Sequence, residues 1–173
     1  MKIILEGAKG TGKTTLSKAL EKKGFKVFHS SSETKNDLDY HLNLLEQDGD
    51  CVLDRFSIGE VIYPFLYSRV PKITLEQMEQ TLRKTNSKGE DVVTIILFSS
   101  NPHQLISRVL LRDGGMPKGI SLDSIKKSND LFEFLGDNLI FNKENNVELF
   151  DVSVMSTEDI MEVLEIEYGI WEY

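Results

Sequence analysis

The chain has 173 residues, 20 of them Lys or Arg against 28 Asp or Glu, which leaves a net charge of −8 and a sequence pI near 4.9. With 40% hydrophobic and 28% charged residues, it has the composition of one ordinary globular domain spanning 1–173, which excludes a disordered, fibrous or disulfide-stapled chain. An acidic surface repels phosphate backbones at long range, so binding to a nucleic acid polymer is disfavoured and any anionic substrate has to be gripped by a local basic site. Cys51 is the only cysteine, which rules out an internal disulfide or a Cys-based metal cluster and reads as a small buried core residue. Met1-Lys2 runs straight into Ile3-Ile4-Leu5, too short for a signal peptide, and no apolar run approaches membrane-spanning length. The expectation is a cytoplasmic protein with no membrane contact.

Short apolar runs alternate with stretches at helical spacing, the pattern of βαβ units and a parallel sheet. Ile3-Ile4-Leu5 is the first strand. After a glycine-rich turn comes a helix with Leu16, Ala19 and Leu20 on one face, closed by Gly24. Phe25 to Phe28 reads as a second strand. A polar stretch, Ser30 to Thr34, leads to a helix carrying Leu38, Leu42 and Leu45, and Asp48-Gly49 turns the chain into a third strand, Cys51 to Asp54. Ser57 to Tyr67 reads as a short helix, Pro71 as a break, and Thr74 as the cap of a helix running to Asn86-Ser87. Val92 to Phe98 is β-branched and apolar on both faces, which predicts a central strand. Asn101-Pro102 pairs an N-cap with proline at the first helical position of a helix reaching Arg112. Asp113 to Gly119 interrupts all periodicity before Ser121 caps a helix through about Leu135, ended by Gly136. Val147 to Phe150 is a fifth strand, and Thr157 to Tyr168 a closing helix with Ile160, Val163 and Leu164 inward.

Two segments carry chemistry. Gly7-Ala8-Lys9-Gly10-Thr11-Gly12-Lys13-Thr14 matches G-x-x-x-x-G-K-[ST], directly after an apolar strand and directly before an amphipathic helix. In that context the glycines let successive N–H groups, followed by those of Thr14 and Thr15, surround a triphosphate at a helix N-terminus. Lys13 then reaches the β- and γ-phosphates, and the Thr14 hydroxyl is a ligand for Mg²⁺, which needs only a few hard oxygens besides phosphates and water. Asp54-Arg55 ends the third strand at the carboxyl edge of the sheet, where ligands bind in open α/β folds. Asp54 can hold the metal or its water. Arg55 offers a planar fork of donors to a second, anionic or hydroxyl-bearing substrate.

Glu6-Gly7 through Thr14-Thr15, then Asp54-Arg55-Phe56, then an arginine-bearing helix ending in a glycine-rich stretch resemble the thymidylate kinase and deoxynucleoside kinase branch of the P-loop kinases. The resemblance covers nearly the whole chain in order and spacing. It implies a three-layer α/β fold with a five-stranded parallel sheet in the order 2-3-1-4-5, ATP as donor, Mg²⁺, and a nucleotide or nucleoside acceptor. It also implies a lid at about 108–121 whose arginines, here Arg108 and Arg112, close over the donor phosphates. Glu33 falls where the family has a carboxylate after its second strand: a proton acceptor if the substrate is a free nucleoside, a positioning group if it is a monophosphate. Phe56 and Tyr63 are candidates to wall the acceptor base, as is Arg69, which follows the same helix toward the sheet edge, while Gln77 and Gln80 can read a base edge. Relatives often dimerise, which leaves a homodimer open.

Two positions depart from the thymidylate kinase pattern: Lys9 stands where an acidic residue is usual, and Ser32 where an arginine is usual. Lys9 either contacts a phosphate or extends into solvent. The preferred expectation is a deoxynucleoside monophosphate kinase with a pyrimidine acceptor; the alternatives are a deoxynucleoside kinase with Glu33 as base and a nucleotide-binding scaffold without turnover. A regulatory GTPase is disfavoured because no glycine has an aspartate three residues before it, and Asn142-Lys143-Glu144 continues to Asn145 rather than aspartate. His29, His41 and His103 have no metal-like spacing and receive no role.

Overall fold

Ile3, Ile4, Leu5, Val52, Leu53, Val93, Ile95 and Ile96 have essentially no exposed surface, and strands buried on both faces require a layer of helices on each side. The computed structural model describes residues 1–31, 35–141 and 146–170. Its strands β1 (Lys2–Gly7), β2 (Lys26–His29), β3 (Cys51–Asp54), β4 (Val92–Phe98) and β5 (Val147–Asp151) are all parallel, in the order β2-β3-β1-β4-β5. The five parallel strands are those the apolar runs predict, and their order is the one the family resemblance implies. Register places Leu5 of β1 and His29 of β2 on either side of Asp54, so the carboxyl ends of three strands meet at one edge.

The helices are α1 (Lys13–Lys22), α2 (Leu38–Leu45), α3 (Gly59–Leu66), α4 (Leu75–Asn86), α5 (Pro102–Asp113), α6 (Leu122–Phe141) and α7 (Thr157–Tyr168). Right-handed crossovers put α1 on one face and the helices between β2 and β5 on the other, and α7 returns beside α1. Among the described residues no helix is long and apolar enough to cross a membrane. Local signals set most boundaries. Past α1, the N–H of Gly24 donates to Glu21 O and that of Phe25 to Leu20 O, a Schellman closure, while Thr74 and Gln77 form a reciprocal capping box at the start of α4.

Three expectations need correction. Gly136 does not end α6, which runs five residues further to Phe141; a Cβ there would lie 2.7 Å from Leu149 Cδ1, so glycine serves close packing of α6 on β5. Asn101 precedes Pro102 at the start of α5, but its side chain makes no capping bond. Its backbone N–H and C=O pair instead with the Ser99 hydroxyl. Gln77 uses its side-chain oxygen to accept from Thr74 N, which assigns it to the helix start rather than to a base edge, and Gln80 lines a separate surface hollow with Leu42 and Glu46.

Candidate active site

The loop between β1 and α1 is shaped by two tight approaches. Gly7 sits at φ 140° with its Cβ position 2.3 Å from Leu97 O, and Gly10 at φ 92° with its Cβ position 2.7 Å from Leu105 O. Any side chain would collide with backbone at either position. The loop therefore rests on β4 and α5, and Gly12 O accepts from Thr15 N and Leu16 N to begin α1. Thr11 is buried and closes the turn through a 2.8 Å bond from its hydroxyl to Ala8 O. Lys13 curls over the loop, with Nζ donating to Gly7 O at 2.6 Å and Ala8 O at 2.8 Å. Burial, reinforced by the nearby Arg55 and Arg112 guanidinium groups, holds its pKa down at about 8.

Asp54 is 3% exposed. Its Oδ2 lies 2.8 Å from His29 Nδ1, whereas Oδ1 is buried with no hydrogen-bond partner among the described residues. Arg55 follows with a left-handed backbone, φ 68°, its N–H donating to Leu5 O at 3.0 Å. Its guanidinium is exposed and makes no ion pair among the described residues. A non-glycine residue in this conformation has to be held there, and Glu6 does the holding: its Oε1 accepts the N–H groups of Phe56 at 3.0 Å, Ile58 at 2.9 Å and Gly59 at 3.2 Å. Burial pushes the Glu6 carboxyl up to about 7 against the opposing pull of those N–H groups and Lys13.

Lys9, Gly10, Gly12, Lys13, Thr14, Thr15, Asp54, Arg55, Arg108 and Arg112 line one cavity of about 880 Å³, joined by His29. Eight of its lining residues are Lys or Arg and two, Asp54 and Glu158, are acidic, so this acidic chain gathers positive charge at one place. Arg108 donates through Nη2 to Val152 O at 3.1 Å. Arg112 forms a bidentate pair with Asp113 at 2.6 and 2.8 Å, and Lys9 Nζ stands 3.4 Å from the same carboxylate. Held chiefly by Arg112, Asp113 stays well below the usual carboxylate range, at about 2.

The remaining predicted residues lie elsewhere. Phe56 is 1% exposed, its ring edge-on to His41 in a core cluster with Leu45 and Leu53, so it packs the core and does not wall an open pocket. Tyr63 packs against Phe132 and Tyr67 and donates its hydroxyl to Gly7 O at 3.1 Å. Arg69 lies over the Tyr67 ring, outside the cavity. Glu33 and Ser32 fall outside the described residues, as do Asn142 to Asn145.

Sequence reasoning missed Glu6, His29 and Asp113. Glu6 was legible as a lone charge at the end of a doubly buried strand, whereas the His29 contact depends on register between strands 25 residues apart. For Mg²⁺, the Thr14 hydroxyl and the Asp54 carboxylate are hard oxygens lining the cavity beside the phosphate loop that could hold the ion. Among the described residues no trio of His, Cys, Asp or Glu forms a metal site.

No family model and no curated protein matches the chain. Solved structures do. It is similar over 98% of both chains to the YorR protein from Bacillus subtilis in complex with phosphorylated GDP, at 18% identity and a TM-score of 0.71. It is also similar to deoxyadenosine kinase from M. mycoides with the products dCMP and a flexible dCDP, at 15% identity and a TM-score of 0.66 over 98% of both chains. The same kinase with bound dATP aligns at 17% identity and a TM-score of 0.63, over 96% of this chain and 98% of that one. With its phosphate loop, sheet order and these neighbours together, the chain has the fold of the P-loop nucleoside and nucleotide kinases.

Proposed function

We propose that this chain transfers the γ-phosphoryl group of MgATP to the 5′-phosphate of a deoxynucleoside monophosphate, with a pyrimidine base favoured by the resemblance to thymidylate kinases. The observation that carries the proposal is the shared cavity in which the phosphate loop, Asp54, Arg55 and the two α5 arginines converge. Lys13 and the loop N–H groups hold the β- and γ-phosphates. Arg55, which makes no ion pair among the described residues, binds the anionic acceptor and lines it up with the donor. Arg108 and Arg112, on the stretch 108–121 that serves as lid, neutralise charge on the transferring group and exclude water. A smaller hollow of about 180 Å³ beside Thr11, Arg108, Val152, Met155 and Ser156 is the place for the donor base. Thr14 and Asp54 would hold Mg²⁺, which when bound offsets the negative charge of the donor phosphates.

A deoxynucleoside acceptor is the second reading, favoured by the similarity to a deoxyadenosine kinase. Glu33 would then be the base for the 5′-hydroxyl. Both are tested by Mg²⁺-dependent ATP consumption against matched deoxynucleosides and their 5′-monophosphates. Turnover confined to monophosphates supports the first, turnover on free nucleosides the second, and no turnover across the panel contradicts both.

A further inference from the structure

We propose that His29 is a positioning residue that fixes the Asp54 carboxylate so that one oxygen is anchored at the sheet edge and the other faces a divalent cation on the donor phosphates. This rests on the phosphotransferase reading above. The two residues are register partners at the ends of adjacent parallel strands, and the imidazole Nδ1 meets Asp54 Oδ2 at 2.8 Å. The other oxygen, Oδ1, is buried and has no hydrogen-bond partner among the described residues. One carboxylate thus carries a satisfied atom and an orphaned one, and buried acceptors are rarely left orphaned without a ligand to receive.

The neighbourhood explains why a holder is needed. A carboxylate turns readily about its terminal torsion, and Asp54 sits among cations: Lys13 senses its charge, and Arg55 is the next residue. Yet among the described residues the side chain that meets its carboxylate is His29, not either of these. The bond to His29 keeps the carboxylate from swinging onto Arg55, which leaves the guanidinium for the acceptor and Oδ1 for the cation. Such partners of metal-binding groups set orientation. His29 itself is exposed, on the edge strand β2, and lines the cavity, so its ring adds little to the core.

The test measures Mn²⁺ binding by electron paramagnetic resonance, with a non-hydrolysable ATP analogue present, in wild type, His29→Ala, His29→Asn and Asp54→Asn. Thermal unfolding of each is the control for folding. His29→Ala is expected to weaken Mn²⁺ binding about tenfold and to raise the Mg²⁺ concentration for half-maximal turnover by a similar factor, with Tm unchanged. His29→Asn, whose amide nitrogen stands near the Nδ1 position, is expected to restore most of the loss. If Asp54→Asn weakens Mn²⁺ binding while His29→Ala binds it as wild type does, or if Asn rescues no better than Ala, the positioning role is overturned. If Asp54→Asn itself leaves Mn²⁺ binding unchanged, the metal role of Asp54 falls first and the role of His29 with it.

Discussion

Replacing Glu6 by Gln keeps an acceptor oxygen for the N–H groups of Phe56, Ile58 and Gly59 and removes a charge that burial disfavours. Because the Glu6 carboxyl is pushed from 4.5 to about 7, the folded chain binds more protons than the unfolded chain between those values. The stability this group contributes is therefore fully present below about pH 4.5 and is lost as pH rises through 7. A gap of about 2.5 pH units at roughly 1.36 kcal/mol per unit amounts to about 3 kcal/mol. The Gln variant has no such loss, so its unfolding free energy should gain about 3 kcal/mol on wild type between pH 4.5 and 8. Glu6→Ala strands three buried donors at about 1–3 kcal/mol each and should be the least stable of the three at every pH. Urea unfolding followed by circular dichroism at half-unit pH steps reads both differences. Parallel wild-type and Gln profiles would refute the buried titrating carboxylate, and an Ala variant as stable as Gln would refute its role as anchor of the Arg55 turn.

His41 is fully buried against Phe56, and burial holds its pKa down at about 4. Its contribution to stability is present above about pH 6.5 and is lost as pH falls through 4, about 3 kcal/mol in all, so His41→Leu should flatten the acid limb of the stability curve; an unchanged limb would contradict this. Gly136→Ala should lower stability by about 1 kcal/mol, since crowding against Leu149 at about 1–3 kcal/mol outweighs roughly 1 kcal/mol of helix propensity gained. A more stable variant would count against that contact. Asp113→Ala releases Arg112 and Lys9 from their shared carboxylate and should lower the KM for ATP; a higher KM would assign Asp113 to nucleotide binding instead.

The strands were legible because doubly buried ones such as Val92 to Phe98 are written as continuous apolar runs, and the phosphate loop because Gly7 and Gly10 answer to fixed backbone collisions. Gly136 was misread because a glycine needed for helix–sheet contact looks, in sequence, like one needed to end a helix. Phe56 was misread for a related reason: its backbone N–H belongs to the Arg55 turn, while its side chain points into the core. The Glu6 anchor, the His29–Asp54 contact and the cluster of Lys9, Arg112 and Asp113 join residues distant in the chain or held by a helix end, and no local spacing encodes such meetings.

If Lys13 stabilises the transferring phosphoryl group, its removal shows in kcat/KM for ATP, compared between wild type and Lys13→Ala with the best acceptor from the panel and with folding verified by circular dichroism. Losing a preorganised cation at the phosphates predicts a fall of about 10³-fold in the folded variant. A folded Lys13→Ala protein that turns over as wild type does would contradict the account.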